Sequence, residues 1–174
     1  MRALHLALFG VLAAAACDTT YDFDRTTVGE DDGTSGTARS KTSSQFVRGV
    51  YADVLGRAPE RYDFVVTANG QPGFTIPIDE ETFLVNTLDG MGDPGPLRAL
   101  ITKGIVESDE VDLPTKSSVS DPKAFISDQF RRLLGREPNA YELSAFVGQW
   151  QSDAAVGPKA IVRAIVGSRE YQSK

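Results

Sequence analysis

The chain has 174 residues, with 18 Lys and Arg against 24 Asp and Glu, a single histidine and a single cysteine. An acidic chain without a cluster of Lys and Arg is a poor partner for nucleic acid, whose phosphates need such clusters. His5 lies in a segment expected to be removed, so Ser-His-Asp, Cys-His and histidine-zinc chemistry are excluded from what remains.

Met1 to Ala16 combine an early cation at Arg2, an apolar run from Leu6 to Leu12, and four alanines leading into Cys17. That is the layout of a secretory signal. The apolar run is shorter than the roughly 20 residues a bilayer-crossing helix needs. Ala14-Ala15-Ala16-Cys17 resembles the lipobox of bacterial lipoproteins, in which small residues admit the segment to signal peptidase and the cysteine thiol receives diacylglycerol. Ala14 stands where leucine is usual. The resemblance implies a signal peptide at 1–16, lipidation of Cys17, and an extracytoplasmic protein held to the membrane by acyl chains such as palmitate. One acyl chain binds only marginally, so stable anchoring takes more than one. An ordinary secretory signal that leaves Cys17 as a free thiol is the alternative, and an unpaired thiol is a liability in an oxidising compartment. Without residues 1–16 the chain carries 17 Lys and Arg against 24 Asp and Glu, a formal charge of −7, and no histidine. Asp18 resembles the inner-membrane retention signal of enteric lipoproteins, a rule that does not hold across bacteria, so inner and outer membrane both stay open.

Residues 17–42 form the expected lipidated N-terminus and flexible linker. They are rich in Thr, Ser, Gly and Asp, include the run Glu30-Asp31-Asp32, and offer too little apolar surface to offset ordering entropy.

From Ser43 on, one pattern dominates, an internal repeat. Phe46, Leu55, Gly56, Arg57, Pro59 and Tyr62 recur as Phe125, Leu134, Gly135, Arg136, Pro138 and Tyr141. Farther along, Ile101, Ile105, Val106, Ser108 and Glu110 recur as Ile161, Ile165, Val166, Ser168 and Glu170. The spacing predicts a mainly α protein of two tandem helical repeat units packed as one body, at 43–113 and 120–174. Each first helix ends on a glycine suited to left-handed backbone, with an arginine placed near the last carbonyls. Between the two blocks the first unit carries extra residues. There β-branched residues flank Asn69-Gly70, which predicts a β-hairpin at about 65–78, with Pro77 confining its strand to an edge. Asp79 or Glu80 opens a further helix, ended by the Gly-rich stretch 90–95. In the second unit Asp121 caps, Pro122 takes the first helical position, Asn139 and Glu142 form a capping box, and Gly157-Pro158 opens the last helix.

The Phe-x-x-x-(Tyr/Phe)-x-x-(Leu/Val)-Leu-Gly-Arg-x-Pro opening at 46–59 and 125–138, with the ending Ser168-Arg169-Glu170-Tyr171, resembles the DUF4214 helical module of bacterial exported and surface proteins. The first unit ends in Ser108-Asp109-Glu110-Val111 and lacks the tyrosine. The resemblance covers most of 45–172 and implies a mostly helical extracytoplasmic protein, with no catalytic residues to carry across. A similar corner occurs in domains attached to planctomycete-type cytochromes, but the Cys-x-x-Cys-His that a haem needs is absent.

No catalytic, cofactor or metal residue is assigned; Cys17 is the one assigned site, as the lipidation residue. Arg57 and Arg136 are expected to pair locally within their own units, with ligand binding the alternative. Asp89 and Asp93 put two carboxylates in one flexible loop without EF-hand spacing, so calcium there is a side possibility. Adjacent acids such as Glu80-Glu81 and Asp109-Glu110 would suit a carboxylate-dependent carbohydrate-processing enzyme only across a cleft. Trp150 and Tyr141 continue an apolar stripe and are expected in the core. The expected role is a lipid-anchored binding or scaffolding protein of the cell envelope, meeting an envelope protein or polysaccharide through the hairpin or loops.

Overall fold

The computed structural model describes residues 40–68 and 71–174; Cys17, nearly all of the linker and the Asn69-Gly70 turn signal lie outside the described residues. The fold is mainly α-helical with one two-stranded antiparallel hairpin. Among the described residues no helix is long and apolar enough to cross a membrane.

Helix α1 (Ser43–Val50) starts at a capping box, Thr42 taking the Gln45 N–H and Gln45 answering the Thr42 N–H. Its last turn, Tyr51–Leu55, widens into π-helix and stops at Gly56, whose φ of 68° is left-handed. A left-handed residue bends the chain sharply away from the helix axis, and glycine reaches it without a Cβ clash. Strands β1 (Arg61–Ala68) and β2 (Gln71–Asp79) follow, in a register that places Arg61 opposite Asp79 and Phe64 opposite Ile76, with an irregularity between Val65 and Thr67. The hairpin is therefore longer than the expected 65–78. Gly73 in β2 lies so close to Val66 that a Cβ would come within 2.8 Å of the Val66 carbonyl oxygen, so this crossing point requires glycine.

Helix α2 (Glu80–Asp89) is capped by Asp79, and α3 (Gly95–Glu107) has Pro96 in its first turn. After a 3₁₀ turn at Lys116–Ser118 come α4 (Pro122–Leu134), capped by Asp121 and stopped by Gly135 at φ 71°, and α5 (Ala140–Ser152), opened by the Asn139–Glu142 capping box. Helix α6 (Pro158–Val166) is not the last; α7 (Arg169–Ser173), capped by Ser168, ends the chain.

The apolar stripes converge on one cluster of buried side chains drawn from both halves: Phe46, Val47 and Tyr51 from the first, Ile126, Phe130, Phe146 and Ile165 from the second. Helix α1 packs on α2 as α4 packs on α5, the π turn packs on α3 as α4 packs on α6, and α3 lies against α6. Phe130 and Phe146 meet edge to face at 5.5 Å, an arrangement favoured by the ring quadrupoles. Two exposed-end problems are solved across elements: Lys116 Nζ donates to the Trp150 and Asp153 carbonyls at the end of α5, and Lys159 Nζ to the Glu107 and Ser108 carbonyls at the end of α3.

Candidate functional site

The two glycine-arginine-proline corners carry the densest polar chemistry. After Gly56 the chain turns so that Arg57 Nη1 donates to the Ala58 carbonyl at 3.0 Å and to Glu80 at 3.1 Å, while Nη2 and Nε reach one oxygen of Glu110 at 2.8 and 3.2 Å. After Gly135, Arg136 Nη1 donates to the Glu137 carbonyl at 3.0 Å and to Glu142 at 2.8 Å, Nη2 adds a second bond to Glu142, and Nε and Nη2 grip both oxygens of Glu170 at 2.6 Å. Glu80 also accepts the Glu60 N–H, as Glu142 accepts the Asn139 N–H. Each guanidinium stacks over the aromatic ring one and a half turns back, Arg57 over Tyr51 and Arg136 over Phe130.

Burial and charge act together here. Burial works to raise the Glu142 carboxyl, yet hydrogen bonds from Arg136 and the Asn139 N–H overcome it and hold the group below its ordinary value. The hydrogen bonds that Arg136 donates to Glu142 and then to Glu170 hold it more firmly protonated than usual. At Arg57 burial opposes the charge, and Glu80 and Glu110 outweigh it. Arg136 makes five hydrogen bonds to the chain's own groups and Arg57 makes four, so both serve as clamps, Arg136 joining its corner to α5 and α7 and Arg57 joining its corner to α2 and the turn after α3. The reading of Arg57 and Arg136 as local pairs describes this geometry. The expected position of Arg136 by the last carbonyls of its own helix does not, since its bonds go to Glu137, Glu142 and Glu170 and the Leu133 carbonyl is taken by Lys174 Nζ.

The other acids are dispersed. Glu80 turns to Arg57 while its neighbour Glu81 takes Ser44 and Arg48; Glu110 turns to Arg57 while Asp109 is exposed. Asp89 accepts the Ser43 hydroxyl and Asp93 the Gly95 N–H, so each carboxylate already has a partner on its own side of the loop. Among the described residues no three His, Cys, Asp or Glu come together in a way that could hold a metal ion. Trp150 is core and lies 5.9 Å from the Phe125 ring, but Tyr141 is 66% exposed, a correction to its expected burial. Tyr141 sits on the first turn of α5, where the apolar stripe has not yet turned inward. Tyr62, its match in sequence, is on β1 opposite Ile78, so the correspondence between the units breaks after Pro59, where the hairpin is inserted.

The hairpin presents what sequence reading did not single out residue by residue. Strands alternate faces, so Tyr62 and Phe64 share a face with their partners Ile78 and Ile76, and with Phe74. Phe64, Phe74 and Ile76 are 52%, 62% and 41% exposed. The signal was the apolar residue at every second position on either side of Asn69-Gly70. At the hairpin base, Glu80 N–H donates to the Glu60 carbonyl at 3.0 Å, so the body is closed beneath the insertion.

Comparison with protein-family models, with curated proteins and with solved structures yields no match.

Proposed function

We propose that this chain is a lipid-anchored binding or scaffolding protein of the bacterial cell envelope, with no catalytic activity of its own, tethered through Cys17 and meeting an envelope protein or polysaccharide through its hairpin. The observation that carries the reading is the aromatic face of the hairpin: three large apolar side chains stand in solvent on an element that the core does not need. Exposed apolar surface concentrated on one projecting element is the usual mark of a contact surface. The two arginine clamps add weight, because they bind the chain's own acids and so build a rigid platform for that element.

Photo-crosslinking in the native cells tests this. A crosslinking residue at Phe74 is expected to give a discrete adduct, whereas one at Tyr141, equally exposed but on α5, gives none. Equal labelling from both positions, or none from Phe74, counts against the hairpin as the contact. The anchor is tested separately by the mass of the mature N-terminus, where an unmodified Cys17 thiol would refute it.

A further inference from the structure

Arg98 departs from the pattern of the clamps. It is 5% exposed, yet none of the described ion pairs includes it. Its Nη2 donates to the Lys41 carbonyl at 2.6 Å, its Nη1 to Ser40 Oγ at 3.1 Å and more weakly to Gln172 Oε1, and its Nε is buried without a partner. A buried guanidinium without a carboxylate is costly, and the orphaned N–H adds to that cost.

Beside two of its acceptors, Ser40 and Lys41, is a hollow of about 430 Å³ whose described lining is Ser40, Lys41, Thr42, Gln45 and Lys174. That lining is rich in donors. Ser40 Oγ accepts from Arg98, which leaves its own O–H to give away. Gln45 Oε1 is occupied by the Thr42 N–H, which leaves its NH₂. Thr42 Oγ1 already accepts the Gln45 N–H. Lys41 and Lys174 bring two ammonium groups from distant positions in the chain. Lys41 Nζ rests 3.7 Å from the centre of the Tyr171 ring. Lys174 Nζ has one weak bond, to the Leu133 carbonyl at 3.3 Å.

The surrounding charges have been placed as follows. Asp53 attracts Lys41, but its carboxylate accepts the Tyr171 hydroxyl at 2.7 Å. Asp89 attracts Arg98 from a distance and is bonded to Ser43. Against these stand Lys41, Lys174 and Arg98, which repel one another. In a chain with six more acids than bases, three cations gather here while, among the described residues, none of their side chains makes an ion pair and the two nearby acids are already bonded elsewhere, a local reversal of sign.

We propose that this hollow is an anion-binding site for a phosphate group, held by the Lys41 and Lys174 ammonium groups, the Ser40 hydroxyl and the Gln45 amide, with Arg98 behind them polarising Ser40. Tetrahedral oxygens suit donors that converge from several directions, and ammonium groups are effective point-charge partners for them. The volume holds a phosphate with several waters. The phosphate comes either as the free ion or as part of a lipid headgroup.

The test is calorimetric titration of the full chain in a zwitterionic detergent at fixed ionic strength. The titrants are inorganic phosphate and glycerophosphoglycerol, the soluble headgroup of phosphatidylglycerol, with chloride as the control. Saturable heat with phosphate alone assigns the free ion, and saturable heat with both assigns a headgroup. Lys174→Gln is expected to weaken binding about tenfold, the size of one charge-assisted hydrogen bond. Ser40→Ala is expected to weaken it several-fold without altering any charge, and Lys123→Gln, exposed on α4, to leave it unchanged. Lys174 has only one weak bond, so melting of Lys174→Gln without phosphate is expected to match the unaltered chain, whereas Ser40→Ala, which takes an acceptor from the buried Arg98, is expected to melt slightly lower. No saturable heat with either titrant, or equal affinity in the unaltered chain, Lys174→Gln and Lys123→Gln, overturns the site and leaves an adventitious ion only.

Discussion

The corner at Arg57 and the corner at Arg136 begin from nearly the same residues and end with different strength. Arg136 meets both of its carboxylates with two bonds each, and Glu142 has no exposed side-chain surface. Arg57 meets Glu110 through a single oxygen and Glu80 through a single bond, with Glu60 only at 4.0 Å. The difference follows from what comes next in the chain. After Pro138 the helix α5 starts at once, and its capping-box glutamate is the same residue that faces the guanidinium, so local helix-start chemistry and the clamp reinforce each other. After Pro59 the hairpin intervenes, Asp79 takes over the capping, and Glu80 reaches the arginine from the helix's first position. The same guanidinium chemistry is thus built once by contiguous sequence and once across an insertion.

The largest expected effect separates the two. Glu142→Gln leaves Arg136 with only its half-exposed partner and removes a fully buried charge, so a loss of about 3 kcal/mol is expected in urea unfolding. Glu80→Gln, in the looser corner, is expected to cost about half as much. Equal losses would mean that bidentate geometry contributes nothing here. The pH dependence carries the same contrast with a fixed sign. The Glu142 carboxyl is held below its ordinary value of 4.5, so its contribution is complete above that pH and is lost as pH falls through the lower folded value. An acid-unfolding profile is expected to lose part of its slope below pH 4.5 in Glu142→Gln, and an unchanged profile would show that other carboxylates govern the acid limb.

A smaller effect is expected at the tyrosine that only the second unit has. Tyr171 is fully buried and its hydroxyl donates to Asp53 at 2.7 Å, joining the end of the chain to the π turn of the first half. Burial, then the bond to Asp53, raises its pKa. Tyr171→Phe is expected to cost about 1.5 kcal/mol in thermal melting, the lower end of the range for a hydrogen bond to a charged group. Asp53→Asn measured beside it and in combination shows whether the two losses are coupled, and simple additivity would deny the bond.

Smaller again, and the same on both sides, are the helix stops. Gly56→Ala and Gly135→Ala each force a Cβ into left-handed backbone, with an expected loss of about 1 kcal/mol. The added methyl meets nothing within 4 Å at Gly56 and only the flexible end of Lys174 at Gly135, so the two values should agree closely. A large gap between them would show that one corner is strained in a way its backbone angles do not record.

The smallest effect concerns the insertion itself. Replacing Arg61–Asp79 by Ala-Tyr, the two residues that separate Asn139 from Glu142, gives the first corner the second one's connection. The melting temperature is expected to change by no more than a few degrees, because the exposed hairpin face adds little to the core. Collapse of the body would make the hairpin structural and weaken its proposed role as a contact.

Much of the fold was legible in the sequence because its signals are local. Helix stops at Gly56 and Gly135, caps at Asp121 and Asn139, and the Asn69-Gly70 turn signal between β-branched runs each depend on residues within one or two turns. Periodicity likewise placed Phe46, Val47, Ile126 and Phe130 inside, since a 3.6-residue repeat fixes which face of a helix is apolar whatever it packs against. What the sequence could not supply is which groups meet across the chain. Arg57 with Glu110, Tyr171 with Asp53, and Arg98 beneath Ser40 and Lys41 are separated by tens of residues, and their pairing depends on how α3, α6 and α7 close over the first helix. Nor could it show that Tyr141 stays in solvent, or that the hairpin runs down to Arg61 and Asp79. Local conformation is set by steric and hydrogen-bond choices within a few residues, whereas the partners of long polar side chains are chosen only when packing has brought distant segments together.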